Sequence, residues 1–313
     1  MDKNMKAISM LLIAIILWGT AIAPTKWALE SIPPFTLLFL RLSLAGFICA
    51  CFTFSDLKNS IINKNIPWKR MSLLSFTGVA GYFMFTSVGI SLTSGLHVSI
   101  IDAGLPLVTI VFSVIFLKEK IHMNYWIGIV LGVIGVLCIT LPSGDGNGEA
   151  SLFGDILILF STFLFAFYTI LLKRPKEERN LSNKVFTTMT LLIGAIMLVP
   201  FASVEVLYNE FPKIDTWKVG LSFLYLVFGA TILAYWFWNK ALESISASVS
   251  GLYLNALPLV SMLASIVLLN ESLTWRIAMG GSLVLVGVLW ADQDKWKGVL
   301  QSANRGKESQ LYK

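Results

Sequence analysis

His97-Val-Ser-Ile-Ile-Asp-Ala-Gly-Leu-Pro-Leu-Val-Thr-Ile-Val-Phe-Ser-Val-Ile-Phe-Leu-Lys-Glu-Lys120 decides the reading of this chain. The run is apolar and of roughly membrane-spanning length, yet it carries a carboxylate, Asp102, and a helix breaker, Pro106. At helical spacing Ser99, Asp102, Pro106, Thr109 and Ser113 recur at steps of three and four, so they form one polar or broken stripe. A charge in hydrocarbon is costly and normally faces a bundle interior or a water-filled path. What this stripe faces is therefore the functional question.

The surrounding chain is of the same kind. Of 313 residues, 56% are hydrophobic and 13% charged, about half the charge of a soluble domain. Mean hydropathy is +0.76. The apolar residues come in blocks long enough to cross a hydrocarbon core of ~30 Å. Ten spans are predicted, at 7–26, 34–54, 71–92, 97–117, 123–141, 152–172, 185–202, 218–241, 246–269 and 274–291. The joints carry breakers such as Ile32-Pro33-Pro34, Pro142–Gly148 and Phe211-Pro212, and none is long enough to hold a soluble domain. The first span follows Lys3 and Lys6 and mimics a signal peptide. Pro24 would follow the cut after Ala23, however, and the apolar run continues to Trp27, so it reads as a retained helix.

Counted over alternate loops, 19 of the 24 Lys and Arg fall on the side of the N-terminus, and only Lys26, Lys213, Lys218 and Arg276 on the other. This asymmetry predicts a cytoplasmic-membrane protein with both termini in the cytoplasm. It also accounts for the net charge of +6 without nucleic acid: the basic loops set topology and meet anionic lipid. Cys49, Cys51 and Cys138 lie in apolar segments and suggest no disulfide framework.

Displaced by 152 residues, the chain matches itself. Leu105-Pro106-Leu107-Val108 falls on Leu257-Pro258-Leu259-Val260, Glu119 on Glu271, Gly128 on Gly280, and Gly135-Val136-Leu137 on Gly287-Val288-Leu289. A repeat of five helices must enter the membrane from the opposite side the second time. The expected fold is all-α, with ten transmembrane helices as two inverted five-helix repeats, 1–145 and 146–292, and a basic tail, 293–313. Glu119 and Glu271 would then lie at opposite faces. Such architectures support alternating access around a midplane site.

Trp18-Gly19 in the first span, Arg41 in the second, and the paired Leu-Pro-Leu-Val…Leu-x-Glu segments (105–119 and 257–271) resemble the drug/metabolite transporter superfamily, in its EamA-domain branch. The resemblance covers about 7–291. It implies a ten-helix secondary exporter or exchanger of small metabolites, often amino acids or related compounds, with a cavity lined by helices 1, 3, 4, 6, 8 and 9. Asp102 departs from it, since the family commonly has a small or neutral residue there.

The candidates follow. Asp102 either binds an amine or coupling proton, or pairs with Arg41 or His97, or bonds backbone freed by Pro106; all three stay open. Arg41 reads as a structural clasp to a carboxylate or carbonyl, with an anionic substrate as the alternative. Pro106 and Pro258 each remove a backbone hydrogen bond and would shape the cavity or act as hinges. Asn255 is the polar counterpart near Asp102's place. Trp18, Tyr82, Tyr168, Trp236 and Tyr253 are candidate cavity aromatics. His97 reads as interfacial, and Lys26, Lys173 and Lys240 as snorkelling. Glycines 128, 132, 135, 280, 281 and 287 suit close helix packing, within the fold or in a homodimer.

No G-x-x-x-x-G-K-[ST] run, H-E-x-x-H pair or serial arginines occur, which speaks against an ATPase, a metalloprotease or a voltage sensor, and no cofactor is implied. The expected function is secondary transport of a small organic solute. A ligand-binding sensor or accessory subunit is the alternative class, and the absence of an output domain speaks against it.

Overall fold

A computed structural model describes residues 3–63, 66–118, 123–140, 151–172, 181–208, 214, 216–242, 253–291 and 293. Among them all regular structure is helical. Seven helices are long and apolar enough to cross a membrane: α1 (Met5–Leu29), α2 (Pro34–Phe52), α3 (Trp68–Leu92), α4 (Gly95–Leu117), α6 (Leu152–Leu172), α7 (Lys184–Tyr208) and α8 (Trp217–Trp238). Three shorter apolar helices, α5 (Met123–Ile139), α9 (Leu257–Leu269) and α10 (Trp275–Ala291), stand where the fifth, ninth and tenth spans are predicted. The predicted beginning of the ninth span, Glu119, His122, the 142–148 joint and most of the tail lie outside the described residues.

Two features depart from the sequence reading. An amphipathic helix, Phe54–Ile62, follows α2 after a break at Thr53, where a loop is expected. Its apolar side offers Leu57 to Met71, Val185 and Met189, enough to hold a short helix against α3 and α7. Helix α7 runs on to Tyr208, through Pro200, rather than stopping near 202.

The helices pack in a regular pattern. Helix α5 lies along α10, α2 along α7, α3 along α6, and α1 along α8 and α9. The α5–α10 seam is the closest. A Cβ at Gly128 would sit 2.5 Å from the Gly287 carbonyl oxygen, and one at Gly287 2.6 Å from that of Gly128. Gly135 and Gly280 face each other in the same way, at 2.6 and 2.7 Å. Only glycine permits backbones this close. Gly132 packs on Leu107 and Gly281 on Ile100 and Met262, so all six glycines are used inside the chain.

The outer surface is apolar, with Phe47, Phe52, Val133, Val204 and Val267 all exposed. The interior holds serines and threonines whose hydroxyls donate mostly to carbonyls a turn earlier, as in Thr25 to Ala21, Ser99 to Gly95 and Thr169 to Phe165. No buried side-chain polar atom lacks a partner among the described residues. Apolar outside and satisfied polar inside is the arrangement a bilayer demands. This is a multi-pass membrane protein.

Candidate substrate site

The site begins with a break. Helix α4 runs from Gly95 to Ala103, turns at Gly104 (φ −74°, ψ −10°) and resumes at Leu105 with Pro106 as its second residue. Pro106 has no N–H for the Asp102 carbonyl, and the Leu107 N–H turns to Gly104 at 3.0 Å. The freed carbonyl end and the Asp102 side chain thus share one turn. Helix α9 starts alike, with Ala256 (φ −81°, ψ −15°) before Leu257 and Pro258 second.

Asp102 is half-buried and pairs with neither Arg41 nor His97. Its Oδ1 accepts from Thr162 Oγ1 of α6 at 3.2 Å, while the same hydroxyl lies 2.9 Å from the Ile158 carbonyl. One hydroxyl hydrogen serves one acceptor at a time. If Thr162 donates to Ile158, the contact to Asp102 needs a proton on the carboxyl; if it donates to Asp102, the Ile158 carbonyl gives it up.

Arg41 is 7% exposed, and its partner is not the expected carboxylate or carbonyl. Its Nε donates to Thr231 Oγ1 at 2.8 Å, and its guanidinium lies 4.8 Å from the Phe83 ring centroid. Thr231 belongs to a π-helical stretch of α8, Tyr225–Leu233, and donates to Leu226, five residues back, at 2.8 Å. Trp18 of α1 uses the same irregularity: its indole N–H donates to the Ala230 carbonyl at 3.0 Å. Helix α3 has its own π-helical stretch, Phe76–Ala80, at the corresponding place under the 152-residue offset. The Tyr168 ring of α6 lies there against Gly78, whose Cβ would meet it at 2.5 Å. Single-turn π insertions recur at functional sites because they re-aim side chains and free carbonyls.

Tyr82 joins the two charges. It lies within electrostatic range of Asp102, Arg41 and Tyr235, and its ring packs on Phe83 and Phe165, both at 4.9 Å. Tyr235 of α8 meets Trp18 edge-on at 5.3 Å and is within range of Arg41 and Tyr168. Tyr82, Tyr168 and Tyr235 all remain partly accessible in the midst of the bundle. Six helices, α1, α2, α3, α4, α6 and α8, thus converge on one aromatic site that holds a guanidinium and a carboxyl group.

Other candidates lie elsewhere. Trp236, one residue from Tyr235, is 53% exposed and packs on Phe237, because one residue turns a helical side chain by about 100°. Tyr253 packs with Ala7, Leu11 and Ala241, towards the far end of α1 from Lys26. Asn255 lies in the turn before α9, half-buried. Sequence reasoning missed Tyr235, although Thr231, Tyr235 and Trp238 follow helical spacing.

It also missed Asp155, 3% exposed in the first turn of α6. Asp155 takes the His97 Nδ1 at 2.8 Å and the Thr93 hydroxyl at 2.5 Å, so His97 is a buried partner of Asp155 in the first turns of α4 and α6. Nearby, Glu271 ties several elements together at one end of the bundle. Its carboxylate accepts from the Gly95 and Leu96 N–H groups at 2.6 and 2.7 Å, and Lys26 Nζ lies 3.1 Å away. Lys26 is therefore paired rather than snorkelling, and Glu271 caps α4.

The EamA-like transporter family model matches twice, over residues 5–141 and 152–291. The chain belongs to that family and is a membrane transporter of the drug/metabolite type. It is 30% identical over 290 residues to an uncharacterized transporter of Archaeoglobus fulgidus, covering 91% of this chain and 98% of that one. It is 28% identical over 293 residues to the uncharacterized transporter YetK of Bacillus subtilis, covering 91% and 86%. A crystal structure at 18% identity shares the fold, with a TM-score of 0.64 over 93% of this chain and 98% of that one.

Proposed function

We propose that the chain is a secondary-active exporter or exchanger of small organic metabolites, among them amino acids or related amines, working by alternating access. It sits in the cytoplasmic membrane with both termini inside, as ten spans in two inverted repeats, 1–145 and 146–292. The observation that carries this reading is an exchange of contacts. The 152-residue offset turns Gly128 into Gly280 and Gly135 into Gly287. It therefore turns the contact Gly128–Gly287 into Gly280–Gly135, which is the other contact of that seam. The packing of α3 on α6 becomes that of α8 on α1 in the same way. Contacts that map onto one another support two like halves related by a two-fold operation, an arrangement from which rocking between two access states can arise.

Asp102 is the coupling or amine-binding group in this reading. Loss or gain of its proton is matched by rotation of the Thr162 hydroxyl between Asp102 and Ile158, so the swap costs little reorganisation. An ammonium group entering beside the carboxylate and the freed carbonyl would make the same exchange. Proteoliposome counterflow tests the reading. Preloaded unlabelled solute should draw labelled solute inward against its gradient, in a panel of amino acids and amines. A chain that binds a panel member without counterflow would instead be a sensor or accessory subunit.

A further inference from the structure

Arg41 brings a positive charge into the bundle, and no carboxylate among the described residues lies in ion-pair range of it. Its contacts with Thr231 and Phe83 engage only part of the guanidinium. Nε is used by Thr231, whose own hydrogen goes to Leu226, so the relay runs in one direction and fixes the plane of the group. Phe83 covers one face. The terminal nitrogens are not sealed away without partners, since no buried side-chain nitrogen is. They therefore keep some accessible surface, and Tyr82 and Tyr235 are titratable side chains within electrostatic range of the group. Asp102 does not fill this place, for its partner is Thr162 on α6, and Tyr82 lies within range of both charges.

We propose that Arg41 is the docking residue for a carboxylate of the transported solute, with its two terminal nitrogens presented as a fixed fork. This deepens, and rests on, the transporter reading above. A planar guanidinium held at Nε and covered on one face offers two parallel N–H donors, which is the geometry a carboxylate takes. The phenol hydroxyls of Tyr82 and Tyr235 supply neighbouring donors. The rings of Trp18, Tyr82, Phe83, Phe165 and Tyr235 suit an apolar body attached to that carboxylate. The π-helical stretch of α8 gains a purpose: it turns Thr231 so that its hydroxyl receives Nε. Lysine at position 41 would keep the charge but not the fork.

The test uses the full chain in nanodiscs and two probes of one shape, 3-phenylpropionate and 3-phenylpropanol, with inorganic phosphate as a competitor. Calorimetric titration should show the carboxylate bound about tenfold tighter than the alcohol, since a charge-assisted hydrogen bond is roughly twice as strong as a neutral one and the fork makes two of them. Arg41→Gln should bring the two within about twofold, through a much larger loss for the carboxylate than for the alcohol. Arg41→Lys should recover little of the difference. Thr231→Val, which keeps the charge and frees Nε, should weaken the carboxylate alone by roughly threefold to tenfold. Thr231→Val also keeps the test open should Arg41→Gln fail to fold. Equal affinity of the two probes for the wild type, no binding of the carboxylate, a preference that survives Arg41→Gln, or phosphate competing as well as the carboxylate would each overturn the proposal. Counterflow of labelled 3-phenylpropionate separates this from the parent reading. Binding that depends on Arg41 without counterflow removes transport and leaves the anchor; counterflow without dependence on Arg41 removes the anchor and leaves transport.

Discussion

Helices α4 and α9 share a backbone and differ in chemistry. Both resume after a near-helical turn residue, at Leu105 and Leu257, with proline second. Both end in a left-handed residue, Lys118 (φ 54°, ψ 31°) and Asn270 (φ 54°, ψ 32°), whose N–H returns to Ser113 and Ser265 respectively. These are the only non-glycine residues of positive φ among those described. Yet Asp102 of α4 corresponds to Leu254 before α9, and beyond α9 Glu271 reaches back to cap the start of α4. The repeated residues build the breaks and the ends of the helices. The residue that differs brings the charge into the site.

The largest effect is expected where the two halves meet on backbone. Gly135→Leu places a side chain where even a Cβ would lie 2.6 Å from the Gly280 carbonyl oxygen. A cost of roughly 3 kcal/mol or more is expected from such overpacking. Gly287→Leu, at the counterpart position under the 152-residue offset, where a Cβ would lie 2.6 Å from the Gly128 carbonyl oxygen, should do the same, read as equal losses of folded protein in a detergent melt. Unequal losses would break the likeness between the halves. Glu271→Ala comes next, at about 2–4 kcal/mol, because it leaves Lys26 and two helix-terminal N–H groups without their buried partner. A thermal melt measures it, and Glu271→Gln should cost less.

The functional contrast is sharper. Asp102→Asn should cut counterflow by about tenfold and remove its dependence on pH, as loss of a transport-linked ionisable group does. Moving the carboxylate, as Asp102→Leu with Leu254→Asp, should not restore either, because Thr162 faces α4. Restoration would show that the halves are interchangeable in chemistry as well as in form. Smallest are Pro106→Ala and Pro258→Ala, which return an N–H to residues 102 and 254. Each should slow transport by about threefold while slightly raising stability, as a regained hydrogen bond would. Stopped-flow uptake in liposomes resolves a difference of that size.

Much of the fold is legible in the chain because its signals are one-dimensional. Apolar run length, lysine and arginine asymmetry, and the prolines with glycines at a constant offset all survive without contacts. The irregular parts are not. The π-helical stretch Tyr225–Leu233 of α8 aims Thr231 at Arg41 and frees the Ala230 carbonyl for Trp18, an irregularity that no residue pattern announces. His97 and Asp155 are joined across 58 residues by the packing of α4 on α6, which no local pattern encodes. Asp102 and Arg41 stand out as charges in apolar runs, but their partners, Thr162 and Thr231, are ordinary threonines until the helices assemble.

The central claim is that the site around Tyr82 opens to each side of the membrane in turn. Tyr82→Cys, with Cys49, Cys51 and Cys138 replaced by serine, should react with a membrane-impermeant maleimide added from either side of a sealed vesicle. Transported solute should shift the balance between the two rates. Reaction from one side only, whatever solute is present, would contradict the account.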